Sequence, residues 1–235
     1  MRSRNSVPFA VDINTKGNWN HVMTKLGWLA ATAFALLPWQ AFAHPHIFVD
    51  ARLEVLAGAD GNLAELRNVW RFDEVFSSSV LLDFDKNADL KLDDKELAEL
   101  GETMRKSLAD FHYFTTITVD GKNIPVAKPD VIHVVYKDQQ ILAFFAVKPT
   151  QPVKLKGQLS FGVYDPSMYT AVDFPKDEDL VTEGKAFATC KRKVVRPNPD
   201  EVIAQNKDSL TAAFFNDPTG TDMTKMFATR LEVTC

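Results

Sequence analysis

The sequence predicts an α+β protein, mainly antiparallel β and sandwich-like, with a helix–loop–helix inserted between strands and a further helix near the C-terminus. Three observations carry this. Residues from Ile47 alternate between apolar and polar; at Asp73 the pattern changes to helical spacing, which lasts to Phe111; beyond it, short segments rich in Val, Ile, Thr and aromatics are separated by turn residues. The 235 residues, 46% of them hydrophobic, suffice for a sizeable core.

In order along the chain, Ile47, Val49, Ala51, Leu53 and Val55 alternate with Phe48, Asp50, Arg52 and Glu54, which is the period of a half-buried strand with His46 on its more polar face. The stretch "GADGN", Gly58 to Asn62, reads as a turn, and Leu63 to Phe72 as a second strand completing a hairpin. The acidic pair Asp73 and Glu74 suits a helix N-terminus, and Phe76, Val80 and Phe84 fall four apart on one helical face. After a polar loop, Leu97, Leu100, Met104, Leu108 and Phe111 predict a second helix from Asp94 to Phe111. The segments "YFTTITVDGKNIPV", "VIHVVYKDQQILAFFAV" and "VKLKGQLSFGVYDPSMYTAVDF" predict antiparallel strands with turns at Asp-Gly and Lys-Asp-Gln-Gln. After "RPNPDE", Asp200 to Phe215 reads as a helix, and "FATRLEVTC" as a closing strand.

The N-terminal region has a different character. Lys25 precedes a mostly apolar run that closes on the small residues Ala41 and Ala43, the pattern of a secretory signal peptide cleaved after Ala43. The run is shorter than the ~20 residues of a membrane-spanning helix, so no stable span is expected after cleavage. The first 22 residues make a long preface, whereas a start at Met23 would give a signal of ordinary proportions. Residues 1–43 are therefore read as extension and signal, and 44–235 as a single exported, periplasmic domain with its helical insertion at 73–111.

Of the chain's 27 Lys+Arg and 31 Asp+Glu, four and one respectively precede His44, leaving the exported part a formal charge of about −7. Nucleic acid is disfavoured as a partner, because that affinity rests on Lys and Arg neutralising phosphates; cations are the more natural ligands. The two cysteines, Cys190 and Cys235, both lie in the exported part and are expected to form one disulfide in an oxidising compartment.

The loop between the predicted helices carries the densest chemistry. In "DKNADLKLDDKE", Asp85, Asn87 and Asp89 fall at positions one, three and five of an EF-hand-like calcium loop, the Lys91 carbonyl at seven, Asp93 at nine and Glu96 at twelve. A hard cation wants six to eight oxygens, and a tight loop running into a helix lets the final Glu close the shell. One position departs from the pattern. Position six, where the backbone turns sharply and glycine is usual, is Leu90, and a left-handed conformation costs an L-residue roughly 1–2 kcal/mol, about tenfold in affinity. Two readings stand: a structural calcium loop, or an acidic loop capped by Asp93 or Asp94 that binds nothing.

Cleavage after Ala43 would create the amino terminus His44-Pro45-His46. Pro45 has no amide hydrogen, which excludes the square-planar copper or nickel site that uses two deprotonated backbone amides. What remains is the α-amine with His44 and His46, an incomplete nitrogen set suited to Zn, Ni or Cu. Asp50 shares the strand face of His46 but lies ~13 Å along an extended chain, too far for the same ion. His112 and His133 are further candidates if the fold brings them near; exposed or structural histidines are the bland alternative throughout. No catalytic constellation is evident: Ser77, Ser78 and Ser79 sit in a predicted helix without a base, and no Gly-x-Ser-x-Gly elbow exists. The protein is therefore not expected to be an enzyme.

The segments "AHPHIF", "WRFDEVFSSSVLLDFDKNADLKLDDKEL", "YFTTITVDGK", "VYDPSMY" and "FATRLEVTC" together resemble a bacterial exported family classed as domain of unknown function 1007, described as periplasmic components of an uncharacterised ABC-type transport system. The resemblance spans nearly all of the exported part. It implies a periplasmic protein often encoded near nickel, cobalt or zinc transport functions, and hence an inner-membrane metal transporter as partner. It also implies glycine as the usual occupant of the Leu90 position, and Tyr164 to Tyr169 as a shared aromatic turn. Three functions follow as expectations: a metal-ion-binding accessory of a transition-metal transport system; a structural or interaction protein with a calcium-stabilised fold; and a copper-dependent oxidative enzyme using His44.

Overall fold

The structure, a computed structural model, describes residues 46–208 and 224–235. The expected N-terminal extension, signal peptide and cleavage point, and His44, lie outside these residues.

The hairpin forms as the alternation predicts, from β1 (Ile47–Ala57) and β2 (Leu63–Phe72). Val49, Ala51, Leu53 and Val55 are all buried, so one face of β1 is committed to the core. The helical insertion follows as α1 (Glu74–Phe84) and α2 (Asp94–Ser107). Asp73 joins the two regions: its Oδ1 accepts the Phe76 amide at 2.9 Å and caps α1, while its Oδ2 accepts the Phe48 amide at 2.9 Å. Buried Ser77, on the core side of α1, accepts the Ile141 amide at 3.0 Å, which gives that serine a structural role.

The remaining elements are β3 (Thr115–Val119), β4 (Lys122–Ile124), β5 (His133–Lys137), β6 (Gln140–Val147), β7 (Gln158–Val163), β8 (Thr170–Asp173), β9 (Leu180–Glu183), β10 (Lys191–Val195), α3 (Pro199–Gln205) and β11 (Arg230–Thr234). They build two mostly antiparallel sheets. One has the order β5-β6-β2-β1-β8, with β9 also pairing β1; the other has the order β10-β11-β7-β3-β4. Buried side chains of both belong to one apolar cluster. Trp70 of β2 stacks on Phe114 with ring centroids 5.8 Å apart and meets Phe145 of β6 edge-on at 4.9 Å. The Asp-Gly and Lys-Asp-Gln-Gln turns form as expected, with Asp120 and Gly121 at φ 47° and 79° and Asp138 and Gln139 at φ 52° and 64°.

Three expectations need revision. β1 takes parallel partners, pairing Ile47–Asp50 with β8 and Leu53–Leu56 with β9, so the first sheet is mixed. The second helix ends at Ser107 and not at Phe111: residues Ala109–Phe114 form a 3-10 turn in which His112, Tyr113 and Phe114 have φ of 51°, 56° and 53°. That reversal drops Tyr113 and Phe114 into the core, which a continued helix would not do. The C-terminal helix begins one residue earlier than expected, at Pro199, where Asn198 caps it; residues 209–215 of the predicted helix lie outside the described ones.

The disulfide is present between Cys190 and Cys235, with Cα atoms 4.3 Å apart and 45 residues between them in sequence.

Candidate metal centre

The loop between α1 and α2 is organised by its own carboxylates. Asp85 Oδ1 and Oδ2 accept the amides of Asp89 and Leu90 at 3.2 and 2.7 Å, Asn87 Oδ1 accepts Asp89 N–H at 2.9 Å, and Asp89 Oδ1 accepts Lys91 N–H at 2.9 Å. Leu90 is at φ 61°, the left-handed conformation its position requires, with its side chain out in solvent. Asp93 caps α2 by accepting the amides of Lys95 and Glu96. Glu96 is only 5% exposed; its Oε1 accepts Lys86 N–H at 2.8 Å and its Oε2 accepts Asp93 N–H at 2.9 Å. Glu96 thus closes the loop across both of its ends, as a capping box and as a bridge.

The donor types of Asp85, Asn87, Asp89, Asp93, Glu96 and the Lys91 carbonyl suit a hard, oxygen-seeking cation. Their carboxylates are nevertheless engaged with backbone amides, and among the described residues no three or more His, Cys, Asp or Glu side chains are gathered into a metal-holding group. The loop is a folded scaffold with oxygen donors, not a closed cage.

The first described histidine, His46, sits where β1 begins. Its backbone N–H donates to the Tyr169 carbonyl at 2.9 Å, and its ring lies on that of Tyr169 with centroids 4.9 Å apart. The parallel pairing of β1 with β8 thereby brings His46 and Ile47 beside the "YDPSMY" turn, about 120 residues away in sequence. Asp165, 4% exposed, anchors that turn: Oδ1 accepts Ser167 N–H at 2.7 Å and Ser167 Oγ–H at 2.6 Å, and Oδ2 accepts Thr170 N–H at 2.9 Å. Asp50 pairs with Arg71, which commits it elsewhere.

His133 is exposed on the edge strand β5. His112 instead lines a cavity of about 610 Å³ together with Phe111, Tyr164 and Pro166. Tyr164 therefore belongs both to the turn beside His46 and to the wall of the His112 cavity. The sequence marks Tyr164 to Tyr169 as one turn; the clamp that the buried Asp165 carboxylate makes within it is visible only in three dimensions. Next to His112, burial pushes the Tyr113 phenol up from its ordinary value, opposed by nearby Arg105 and reinforced by Asp110.

A family model described as a protein of unknown function, DUF1007, matches residues 29–235. The chain belongs to the DUF1007 family. No curated protein matches this DUF1007 chain. Among its described residues, no helix is long and apolar enough to cross a membrane.

Proposed function

We propose that this DUF1007 protein is a periplasmic metal-ion-binding accessory of a transition-metal transport system, capturing Ni, Co, Zn or Cu at an amino terminus made by cleavage after Ala43. Capture and delivery need no turnover. The observation that supports the reading most is the docking of His46 on the Tyr169 carbonyl and ring, which holds an imidazole at a defined, exposed corner two residues from the expected new terminus. There the α-amine and the imidazoles of His44 and His46 supply nitrogen donors without thiolate.

The test is to purify the processed protein from periplasm, determine its first residue and metal content, and titrate Zn(II), Ni(II) and Cu(II). The reading expects a chain that begins at His44 and an affinity lost when both histidines become alanine. A chain that begins elsewhere, or an affinity the double variant leaves untouched, refutes it.

A second reading is favoured by the buried Glu96: a structural or interaction protein whose helical insertion is ordered by calcium. It expects calcium to raise the unfolding midpoint in wild type and not in Glu96→Gln, with transition-metal affinity unaffected.

A further inference from the structure

In β7 and β11, Leu159, Phe161, Leu231 and Val233 are buried in the core, so their strand neighbours Ser160, Arg230 and Glu232 point to the outer face of the second sheet. The register of the ladder lays Lys193, Glu232, Ser160, Thr118 and Asn123 side by side in one row across all five strands. Lys225, from the segment before β11, reaches the end of that row: its Nζ donates to Asn123 Oδ1 at 3.0 Å. Each end of this bridge lines a cavity. Lys225 lines one of about 500 Å³, together with Thr118, Ser160, Arg230, Glu232 and Thr234. Asn123 lines the His112 cavity of about 610 Å³, whose apolar wall includes Phe111, Pro125, Val126 and Pro166. Thr116 of this cavity and Thr118 of the other stand two residues apart on one strand face, so the two cavities are neighbours on the outer side of the sheet.

Their chemistry differs. The larger has an aromatic wall, with Phe111 41% exposed and meeting Phe114 edge-on at 6.0 Å. The smaller is cationic: Arg230 pairs with Glu232 at 2.9 Å, which leaves Lys225 without an ion pair among the described residues, and Lys225 spends only one of its three donors on Asn123. We propose that the two cavities together bind one amphipathic organic carboxylate, its apolar tail against Phe111, Pro125 and Val126 and its head at Lys225. Asp110 lines the larger cavity and repels an anion there, which fixes the orientation. Both volumes lie in the range of small-molecule sites, and an apolar wall with a few placed polar groups is their usual make-up. The site is independent of the amino-terminal metal reading. The alternative role of Lys225 is to pin its segment to the sheet through Asn123. Lys225→Gln separates the two, because it keeps a side-chain donor for Asn123 and removes the charge.

The experiment is calorimetric titration of the purified protein with octanoate, octanol and acetate, in EDTA so that no metal ion bridges protein and ligand. Octanoate is expected to bind, and octanol and acetate to bind at least about tenfold more weakly, since each lacks one half of the ligand. Lys225→Gln is expected to weaken octanoate by about tenfold and to leave octanol unchanged, whereas Phe111→Ala weakens both. Lys225→Gln carries the test alone should Phe111→Ala lower the unfolding midpoint through its contact with Phe114. Octanoate that fails to bind, or that binds wild type and Lys225→Gln equally, overturns the site. Acetate as tight as octanoate overturns the apolar half, and octanol as tight as octanoate overturns the anionic half. With metal held by the chelator, each of these results leaves the amino-terminal reading to its own test.

Discussion

The Leu90 amide donates to Asp85 Oδ2 at 2.7 Å while Leu90 itself is held at φ 61°. That one bond ties the sharpest bend of the loop to its first carboxylate, in a conformation an L-residue resists by roughly 1–2 kcal/mol. Leu90→Gly removes the penalty and gives back part of it, up to about 1 kcal/mol, through the greater freedom of glycine in the unfolded chain. Since the leucine side chain is largely in solvent, little packing is lost. Urea unfolding is expected to show a gain of roughly 0.5–1 kcal/mol without calcium. A further calcium-dependent gain in the variant would mark the loop as a cation site; no gain in either condition would show that Leu90 is not strained.

Gly101 fixes where α2 meets the first sheet. A Cβ at this position would stand 2.2 Å from the Ile132 carbonyl oxygen and 3.3 Å from its carbon, both backbone atoms that cannot swing aside. Gly101→Ala, which on helix propensity alone would favour α2, is therefore expected to destabilise the protein by about 1–3 kcal/mol. Denaturant unfolding measures this. An unchanged or raised midpoint would mean that α2 can lift from the sheet without loss.

The sequence showed most where one physical requirement dominated. β2 runs from Leu63 to Phe72 as expected, because a strand with one buried face must alternate. α1 and α2 start where expected because Asp73 and Asp93 are side-chain caps. The end of α2 was hidden, since Leu108 and Phe111 continue the helical spacing and nothing in His112-Tyr113-Phe114 marks three left-handed residues; the demand that Tyr113 and Phe114 reach the core sets that bend. The parallel edge of the first sheet was hidden too, because β8 and β9 have four residues each, too few to reveal a partner. At the site, the oxygen donors of the loop could be named by spacing. The meeting of His46 with Tyr169 depends on strand order, which spacing does not encode.

Tyr113 carries a titration signature. It is 3% exposed, its hydroxyl has no hydrogen-bond partner among the described residues, and burial holds its proton more tightly than the ordinary value of 10.0. Since the folded state binds this proton more strongly than the unfolded chain does, stability is fully present below pH 10.0 and falls as pH rises through and above it. Tyr113→Phe removes that loss, and near neutral pH it is expected to be neutral or stabilising by up to about 1 kcal/mol, because a buried unpaired hydroxyl is replaced by hydrogen. The wild-type minus variant difference in unfolding free energy, followed from pH 8 to about pH 11, tests both parts. A difference independent of pH would show that the phenol titrates normally.

The Cys190–Cys235 bond closes a long loop at the margin of the second sheet. Its neighbours Lys191 and Thr234 form the last rung between β10 and β11, and Cys235 exchanges two backbone hydrogen bonds with Gly157, at 3.2 and 3.1 Å. The bond therefore staples a ladder end that would otherwise fray, and β11 carries the fully buried Leu231 into the core. Replacing both cysteines by serine is expected to cost about 2–4 kcal/mol, most of it through the freedom regained by the unfolded chain. The loss should appear as a lower urea midpoint that reductant no longer shifts, together with faster amide exchange in β10 and β11 while β1 and β2 stay protected until global unfolding. If reductant moves the wild-type midpoint by less than the variant differs from wild type, the cysteine side chains matter to packing as well as to the bond, and the stabilisation cannot be assigned to the cross-link alone.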